Sequence, residues 1–369
     1  MGDVIARVET YCLNLPYRFT VHFKSVTESS GPYILLRLIT RDGAEGIAEA
    51  VARPAQYSED PRGLAYTLQT HFKPMLEGAD PLDHNAILAR TRKLKRFNTE
   101  RSLIDMALWD LKGKLLGQPV WRLLGGGPAR PVPATWIVHG NKKKVMIEEA
   151  LRVVNQRGFK SLKVKVWRRS LEDIDMIREM RRELGDDILI YVDANGAYTE
   201  GEARVMLSKL ADYGVALIED PCAIRDLRRL GELAQALPIP ILGDEACEDA
   251  DAIQTLLGAR AIGAASVKPR RTGITGTLNA IALCEIGRIP AIIGTDSESR
   301  IGALVRAHLW NGSPHLALWP IQTHFFEKLA DDVFAGEFEF KDGAISVSDA
   351  PGFGASIDQA KLKKYSVTS

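Results

Sequence analysis

Cysteine is scarce in this chain. Only Cys12, Cys222, Cys247 and Cys284 occur in 369 residues, with no CxxC pair and no regular spacing. That pattern argues against a disulfide framework and a thiolate metal site, and it suits reduced thiols in a cytoplasmic protein. Long apolar runs are also lacking. None reaches the roughly 18 residues a membrane span needs, and the opening MGDVIARVET has neither the basic nor the apolar region of a signal peptide. No charge sign dominates, because 48 Lys and Arg stand against 47 Asp and Glu. A near-neutral balance gives no global field for nucleic acid or an anionic membrane. The basic cluster Lys142-Lys143-Lys144 reads as a solvated helix start. No GxGxxG follows a strand candidate, which speaks against a doubly wound dinucleotide-binding sheet. Neither a low-complexity segment nor a short repeat is present.

What the chain does have is apolar content, 46% of its residues, and a period. From about residue 132 to 320, short β-rich runs alternate with helical patterns. The runs are VPATWIVHG, SLKVKVW, ILIYVDAN, VALIEDP, PILGDEA, AASVKPR, PAIIGTDS and HLALWP. Between them lie segments such as LEDIDMIREMRREL, with Ile174, Met176, Ile177 and Met180 on one side. Eight nearly continuous apolar strand candidates at roughly 25-residue intervals predict a closed parallel α/β barrel of the TIM type. The assigned barrel spans residues 129–329. Residues 1–128 differ: three strand patterns with an RDG turn, then a helical stretch over 62–116, predict an α+β domain. The Gly125-Gly126-Gly127-Pro128 run marks the boundary. The tail, 330–369, reads as strand–turn–strand and is expected to return to the first domain.

The strand ends carry the chemistry. Asp193, Glu219, Asp244 and Lys268 each close an apolar run, at intervals of 26, 25 and 24 residues, and Lys163 and Lys165 lie one similar step upstream. Polar groups at the C-terminal ends of barrel strands read as catalytic, since the strand bodies are committed to packing. Three carboxylates converging on a barrel mouth repel unless a cation neutralises them, and all-oxygen ligation selects Mg²⁺, with Mn²⁺ as the usual substitute. The competing reading makes each acid a helix N-cap. Asn195, Asp220 and Glu245 flank the three acids and are natural partners to hold their rotamers. Lys163 and Lys165 are two apart on one strand and share a face. Leu162, Val164 and Val166 take the other face, so both lysines point inward. Crowding two ammonium groups beside a metal favours a neutral amine at the outer one, Lys165, as base. Lys268 sits on the opposite side of the ring. The arrangement suits removal of a proton next to a carboxylate, through an enediolate stabilised by a divalent cation.

These residues resemble the enolase superfamily, and more narrowly its muconate lactonizing enzyme (muconate cycloisomerase) subgroup. The resemblance rests on Lys163-x-Lys165, Asp193-x-Asn195, Glu219-Asp220-Pro221, Gly243-Asp244-Glu245 and Lys268-Pro-Arg-Arg-Thr-Gly, together with SLIDMALWDLKGKLLGQPVWRLLGG at 102–126. It covers essentially the whole chain. It implies a (β/α)₇β modified barrel under an α+β capping domain, Mg²⁺ on Asp193, Glu219 and Asp244, and substrate selection by loops near Phe19–Ser25 and Arg53–Tyr57. Phe19, Phe23, Arg53 and Tyr57 are the candidates there, with Arg270, Asp296 and Trp319 from the barrel. Two departures stand out. Gly273 is followed by Ile274 where many relatives have a glycine pair. Leu318-Trp319-Pro320 stands where dipeptide epimerases of the subgroup carry an Asp-x-Asp that receives the substrate ammonium. Asp296 and Glu298 match the place where relatives put an acid after the seventh strand; they can equally cap the helix IGALVRAHL. Arg270 and Arg271 can receive a second substrate carboxylate or be loop charges. His324, a lone histidine after the eighth strand, reads as structural.

The expected activity is a cycloisomerase acting on an unsaturated dicarboxylate or its lactone. The same constellation suits racemisation, epimerisation or dehydration of an N-substituted amino acid or hydroxy acid. A different class is a Schiff-base aldolase using Lys268 or Lys165 as nucleophile, and a barrel kept only for binding is a third possibility. The expected partner is a small carboxylate, with no nucleic acid and no membrane, and a homo-oligomer is the default assembly.

Overall fold

The computed structural model describes residues 3–23, 26–138, 140, 142–166, 170–223 and 226–367. His139 and Trp167, at the ends of two strand candidates, and Lys24 and Ser25 of the first expected specificity loop lie outside them.

Three antiparallel strands open the chain: β1 (Ile5–His22), β2 (Thr27–Thr40) and β3 (Glu45–Val51), in that spatial order. The RDG signal makes the β2–β3 turn, where Gly43 holds φ +90° and the Thr40 N–H donates to the Ala44 carbonyl. The expected helical stretch runs through Pro61–Thr67, a π-helical turn at Leu68–Phe72 and Lys73–Leu76, then restarts at His84–Thr91 before the long helix Asn98–Leu115. That helix packs on β3 so closely that a Cβ on Gly46 would stand 2.2 Å from the Ala107 carbonyl oxygen.

After a short strand β4 (Val132–Pro133) come seven parallel strands: β5 (Thr135–Val138), β6 (Ser161–Lys165), β7 (Leu189–Asp193), β8 (Val215–Glu219), β9 (Ile241–Gly243), β10 (Ala264–Val267) and β11 (Ala291–Ile293). They pair in chain order, β5 to β11. The sequence-based eighth strand, HLALWP, is not one. Pro314–Leu318 is a 3₁₀ helix, because Pro314 pre-sets a helical φ at its first position and a short apolar run carries no period to distinguish the two states. Residues 321 and 322 close the ring instead. Ile321 exchanges backbone hydrogen bonds with Pro133 and Thr135, and the Gln322 N–H donates to the Ile293 carbonyl.

Period-2 alternation places the site. Tyr191, Leu217 and Leu242, each two residues before an acid, form one buried cluster with Ala264 and Ile292. Asp193, Glu219 and Asp244 therefore emerge on the inward face above a packed layer. Leu162, Val164 and Val166 are fully buried on the opposite face of β6, as the alternation requires.

The tail differs in part from expectation. Its hairpin, Glu339–Lys341 with Ala344–Ser346, adds to β4 rather than to the first sheet. Elsewhere it does reach the N-terminal segment, where the Phe353 N–H donates to Asp110 and the Val367 N–H to the Cys12 carbonyl. Other ties hold the N-terminal domain over the strand ends. Asp105 accepts from the Thr275 N–H and hydroxyl, at 2.9 and 2.6 Å, and pairs with His84 at 2.8 Å. Glu49 accepts from the Ser299 N–H and hydroxyl and from the Gly302 N–H, so an acid of β3 caps the helix Arg300–Gly312 across the interface.

Candidate active site

A cavity of about 590 Å³ lies over the C-terminal strand ends, between the barrel and residues of the first domain. Lys163, Lys165, Asp193, Asp244 and Lys268 all line it, and Glu219 is buried beside them. Asp193 is the in-register neighbour of both Lys165 on β6 and Glu219 on β8. The Lys163 ammonium stands 3.0 Å from Asp193, hydrogen-bonds Glu219, and donates to the Gln322 side-chain oxygen at 3.0 Å. Lys165 donates to Asp193 at 2.5 Å and to Asn195 at 2.6 Å. Across the cavity Lys268 contacts both Asp244 oxygens, at 2.8 and 2.9 Å, and lies 3.8 Å from Asp296.

The electrostatics show crowding. Burial, then the neighbouring Asp193, pushes Glu219 up to about 8. Burial also raises Asp193, but the Lys163 and Lys165 ammoniums outweigh it and hold the carboxyl down at about 2. Burial of Asp244 is overcome by Lys268 and Arg271, which hold it far below the carboxylate range. Lys163 is itself penalised by burial, yet Asp193 and Glu219 keep it well above an ordinary amine. Glu219, buried beside Asp193 and driven toward protonation, is the acid whose charged form a further cation would favour. All the donors are hard oxygens, so the residues fit a divalent ion of the Mg²⁺ or Mn²⁺ type. Among the described residues the acids are not gathered into a closed ligand cluster, and the Lys163 ammonium bridges two of them.

The supporting residues have definite tasks. Asp220, in a left-handed conformation at φ +39°, accepts from the N–H groups of Asp244 and Glu245 at 2.9 and 3.0 Å and so fixes the turn after β9. Asn195 is also left-handed, at φ +45°, and its N–H donates to Asp193. Glu245 lines the cavity. Glu298 accepts from the Thr295 hydroxyl and the Asp296 N–H, which shapes the turn after β11. The helix-capping alternative for Asp296 and Glu298 fails, because Ser299 is the N-cap. Asp296 is buried against Arg306 at 3.0 Å and Arg270 at 3.4 Å.

Among the expected specificity residues, Phe23, Tyr57 and Arg270 line the cavity. Phe19 is 56% exposed and away from it. Arg53 is fully buried, with its guanidinium committed to Glu28 and Tyr17 and stacked 4.1 Å over Phe23. Trp319 packs instead against the cluster under the acids. Neither arginine after Lys268 is a loop charge. Arg270 bonds Glu59 and Thr99 of the first domain, and Arg271 bonds the Asp244 carbonyl and carboxylate. His324 lines the cavity and packs 4.4 Å from Trp136. Sequence reasoning missed Gln322, which joins Lys163 to Glu219 through both ends of its amide. It also missed Lys328, buried in the cavity wall. No short-range signal marks either one.

Residues 5–125 match the family model described as mandelate racemase / muconate lactonizing enzyme, N-terminal domain, and residues 145–361 match the one described as enolase C-terminal domain-like. The chain belongs to the enolase superfamily. Within it, the chain is similar over nearly its whole length to muconate cycloisomerase 1 of Pseudomonas putida, at 29% identity over 95% of this chain and 93% of that one. A second relative, muconate cycloisomerase 1-1 of Acinetobacter lwoffii, is 26% identical over 98% of this chain and 96% of that one. The fold superposes on muconate lactonizing enzyme from Pseudomonas fluorescens complexed with muconolactone with a TM-score of 0.93, at 28% identity over both full chains. On the Pseudomonas putida muconate lactonizing enzyme the TM-score is 0.90, at 27% identity over 99% of this chain and 100% of that one. The family, the barrel and the enzyme class, a metal-dependent isomerase or lyase, follow from these matches. Among the described residues no helix is long and apolar enough to cross a membrane.

Proposed function

We propose that this enzyme interconverts an unsaturated dicarboxylate and its lactone, as a muconate cycloisomerase does, by moving a proton on the carbon α to a carboxylate. The observation that carries the reading is the placement of Lys165 and Lys268 on opposite walls of one cavity, with Asp193, Glu219 and Asp244 between them. Those three acids would hold Mg²⁺, or Mn²⁺, which when bound would lower the energy of charge developing on the substrate carboxylate. Lys165 takes the α-proton of the lactone. The electron pair moves through the enediolate to form the new double bond, and the ring C–O bond breaks to release the second carboxylate. In the other direction that carboxylate oxygen adds to the double bond and Lys165 returns the proton. Lys163, held by Asp193, Glu219 and Gln322, stays cationic and supports the substrate carboxylate. Lys268 faces the other side of the substrate.

Residues 320–324, Pro-Ile-Gln-Thr-His, offer no carboxylate to a substrate ammonium, which disfavours a dipeptide. A Schiff-base aldolase would leave Asp193, Glu219 and Asp244, the acids beside Lys163, Lys165 and Lys268, without a task. The four cysteines are free and buried, in keeping with a cytoplasmic location, and a symmetric homo-oligomer belongs to the same reading. Purified protein with Mg²⁺ is expected to form lactone from cis,cis-muconate and to lose that activity in chelator. Absence of lactone, together with α-proton exchange in an N-acyl amino acid, would replace the cycloisomerase by a racemase.

A further inference from the structure

The acid/base set explains one wall of the cavity. Another wall is aromatic and is assembled from three separate stretches of chain. Phe23 follows β1, Gln56 and Tyr57 belong to the short helix Pro54–Tyr57, and Phe325 opens the 3₁₀ turn Phe325–Lys328. Phe23 and Phe325 stack with ring centroids 6.1 Å apart. Behind this wall lies Arg53, fully buried and outside the cavity lining. Its Nε donates to Glu28 at 2.8 Å, one terminal nitrogen to the Tyr17 hydroxyl at 2.7 Å, and the other to the Gln56 side-chain oxygen at 3.4 Å. The guanidinium carbon sits over Phe23, 4.1 Å from the ring centroid, and 5.8 Å from that of Phe325. One side chain thus touches all three stretches. Only arginine has this reach, because a planar fork bonds in its plane and stacks on its face at once.

We propose that Arg53 is a positioning residue: it binds no substrate, and it fixes Phe23 against Phe325 so that the aromatic wall stands before substrate arrives. The inference takes its substrate from the dicarboxylate reading above, and its geometry from the apolar wall alone. The β1–β2 hairpin needs such a tie. Its ladder slips between Pro16 and Val21, and past the slip Arg53 contacts both Phe23 and Glu28. Gly31 leaves the room for this arrangement, since a Cβ there would lie 2.2 Å from the Tyr17 hydroxyl. Burial opposes the charge on Arg53, but Tyr17, Tyr33 and Glu28 outweigh it and keep the fork cationic. A wall set in advance spares the bound state the cost of ordering it, which acts on substrate binding and not on the proton transfer.

The test uses Mg²⁺-loaded enzyme and two readouts. Without ligand, trypsin cleavage after Arg18 reports opening of the hairpin. Arg53→Met is expected to speed that cut about tenfold while cuts elsewhere keep their wild-type rates. With cis,cis-muconate, its KM is expected to rise about tenfold and its kcat to stay within about threefold of wild type. Phe23→Ala should raise KM as well, and the double variant no further, because Arg53 acts through Phe23. Tyr17→Phe removes one bond of the fork at nearly the same shape. It should move both readouts the same way by a smaller factor, and it decides the matter if Arg53→Met does not fold. Unchanged cleavage after Arg18, equal acceleration of every cut, KM effects of Arg53 and Phe23 that multiply, or a loss confined to kcat each overturn the role of Arg53. A wild type that forms no lactone from muconate sinks the cycloisomerase reading instead, and the ligand-free cleavage then decides the role of Arg53.

Discussion

His308 makes the stability of this enzyme fall with acid in a calculable way. Its ring is fully buried in the helix Arg300–Gly312. There Nδ1 accepts the Trp121 N–H at 3.2 Å, and the ring meets Phe353 edge-on at 5.4 Å. Three separate stretches of chain, from the first domain, the barrel and the tail, meet at this imidazole. Burial drives its pKa from 6.5 down to about 3. A basic group depressed in the fold contributes stability that is fully present above the unfolded pKa and is lost as pH falls toward the folded one. The loss is about 1.4 kcal/mol per pH unit below 6.5, or roughly 2 kcal/mol at pH 5. Urea unfolding at pH 7 and pH 5 should therefore show wild type losing about 2 kcal/mol more than His308→Gln, which carries no titrating ring. Parallel pH dependences in the two proteins would refute the argument. So would a wild-type His308 ring resonance that titrates near pH 6.5 in the folded protein.

Further outcomes follow from single contacts. Asp110→Ala strands the N–H groups of Ile47 and Phe353 and the charge of Lys114, all within 2.9 Å of the carboxylate; a loss of about 3–5 kcal/mol is expected in urea unfolding. Gly273 holds φ +68°, and a Cβ there would lie 2.4 Å from an Asp105 oxygen. Gly273→Ala should lower the melting temperature and loosen the docking of the first domain, seen as faster proteolysis between residues 84 and 105. Gln322→Leu removes the amide that joins Lys163 to Glu219 and should weaken Mg²⁺ activation by about 10- to 100-fold with the fold unchanged.

The placement of the candidate site residues at one end of the barrel was largely legible in the sequence because barrel geometry leaves little freedom at strand ends. An acid that closes an apolar run must emerge at the mouth, and alternation sets its face, as for Asp193 above Tyr191. Lys163 and Lys165 were readable for the same reason. Legibility ended where position depends on contacts far along the chain. Gln322 lies in a stave only two residues long, held by hydrogen bonds to Pro133, Thr135 and Ile293, and HLALWP nearby had the more strand-like composition. Arg53 looked like a substrate ligand by its place in a loop, yet Glu28 and Tyr17, brought in by β1 and β2, occupy it. Glu49 reads as a strand residue, and nothing local shows that it caps a helix some 250 positions later. Lys328 had no pattern at all; only folding sets its ammonium against Phe325.

Oxygen ligation at the barrel mouth can be read from a crystal of the enzyme soaked in Mn²⁺. One strong anomalous peak is expected within about 2.4 Å of carboxylate oxygens from Asp193, Glu219 and Asp244, with the amines of Lys165 and Lys268 on either side of the adjoining space. No peak there, or a peak on other ligands, would contradict it.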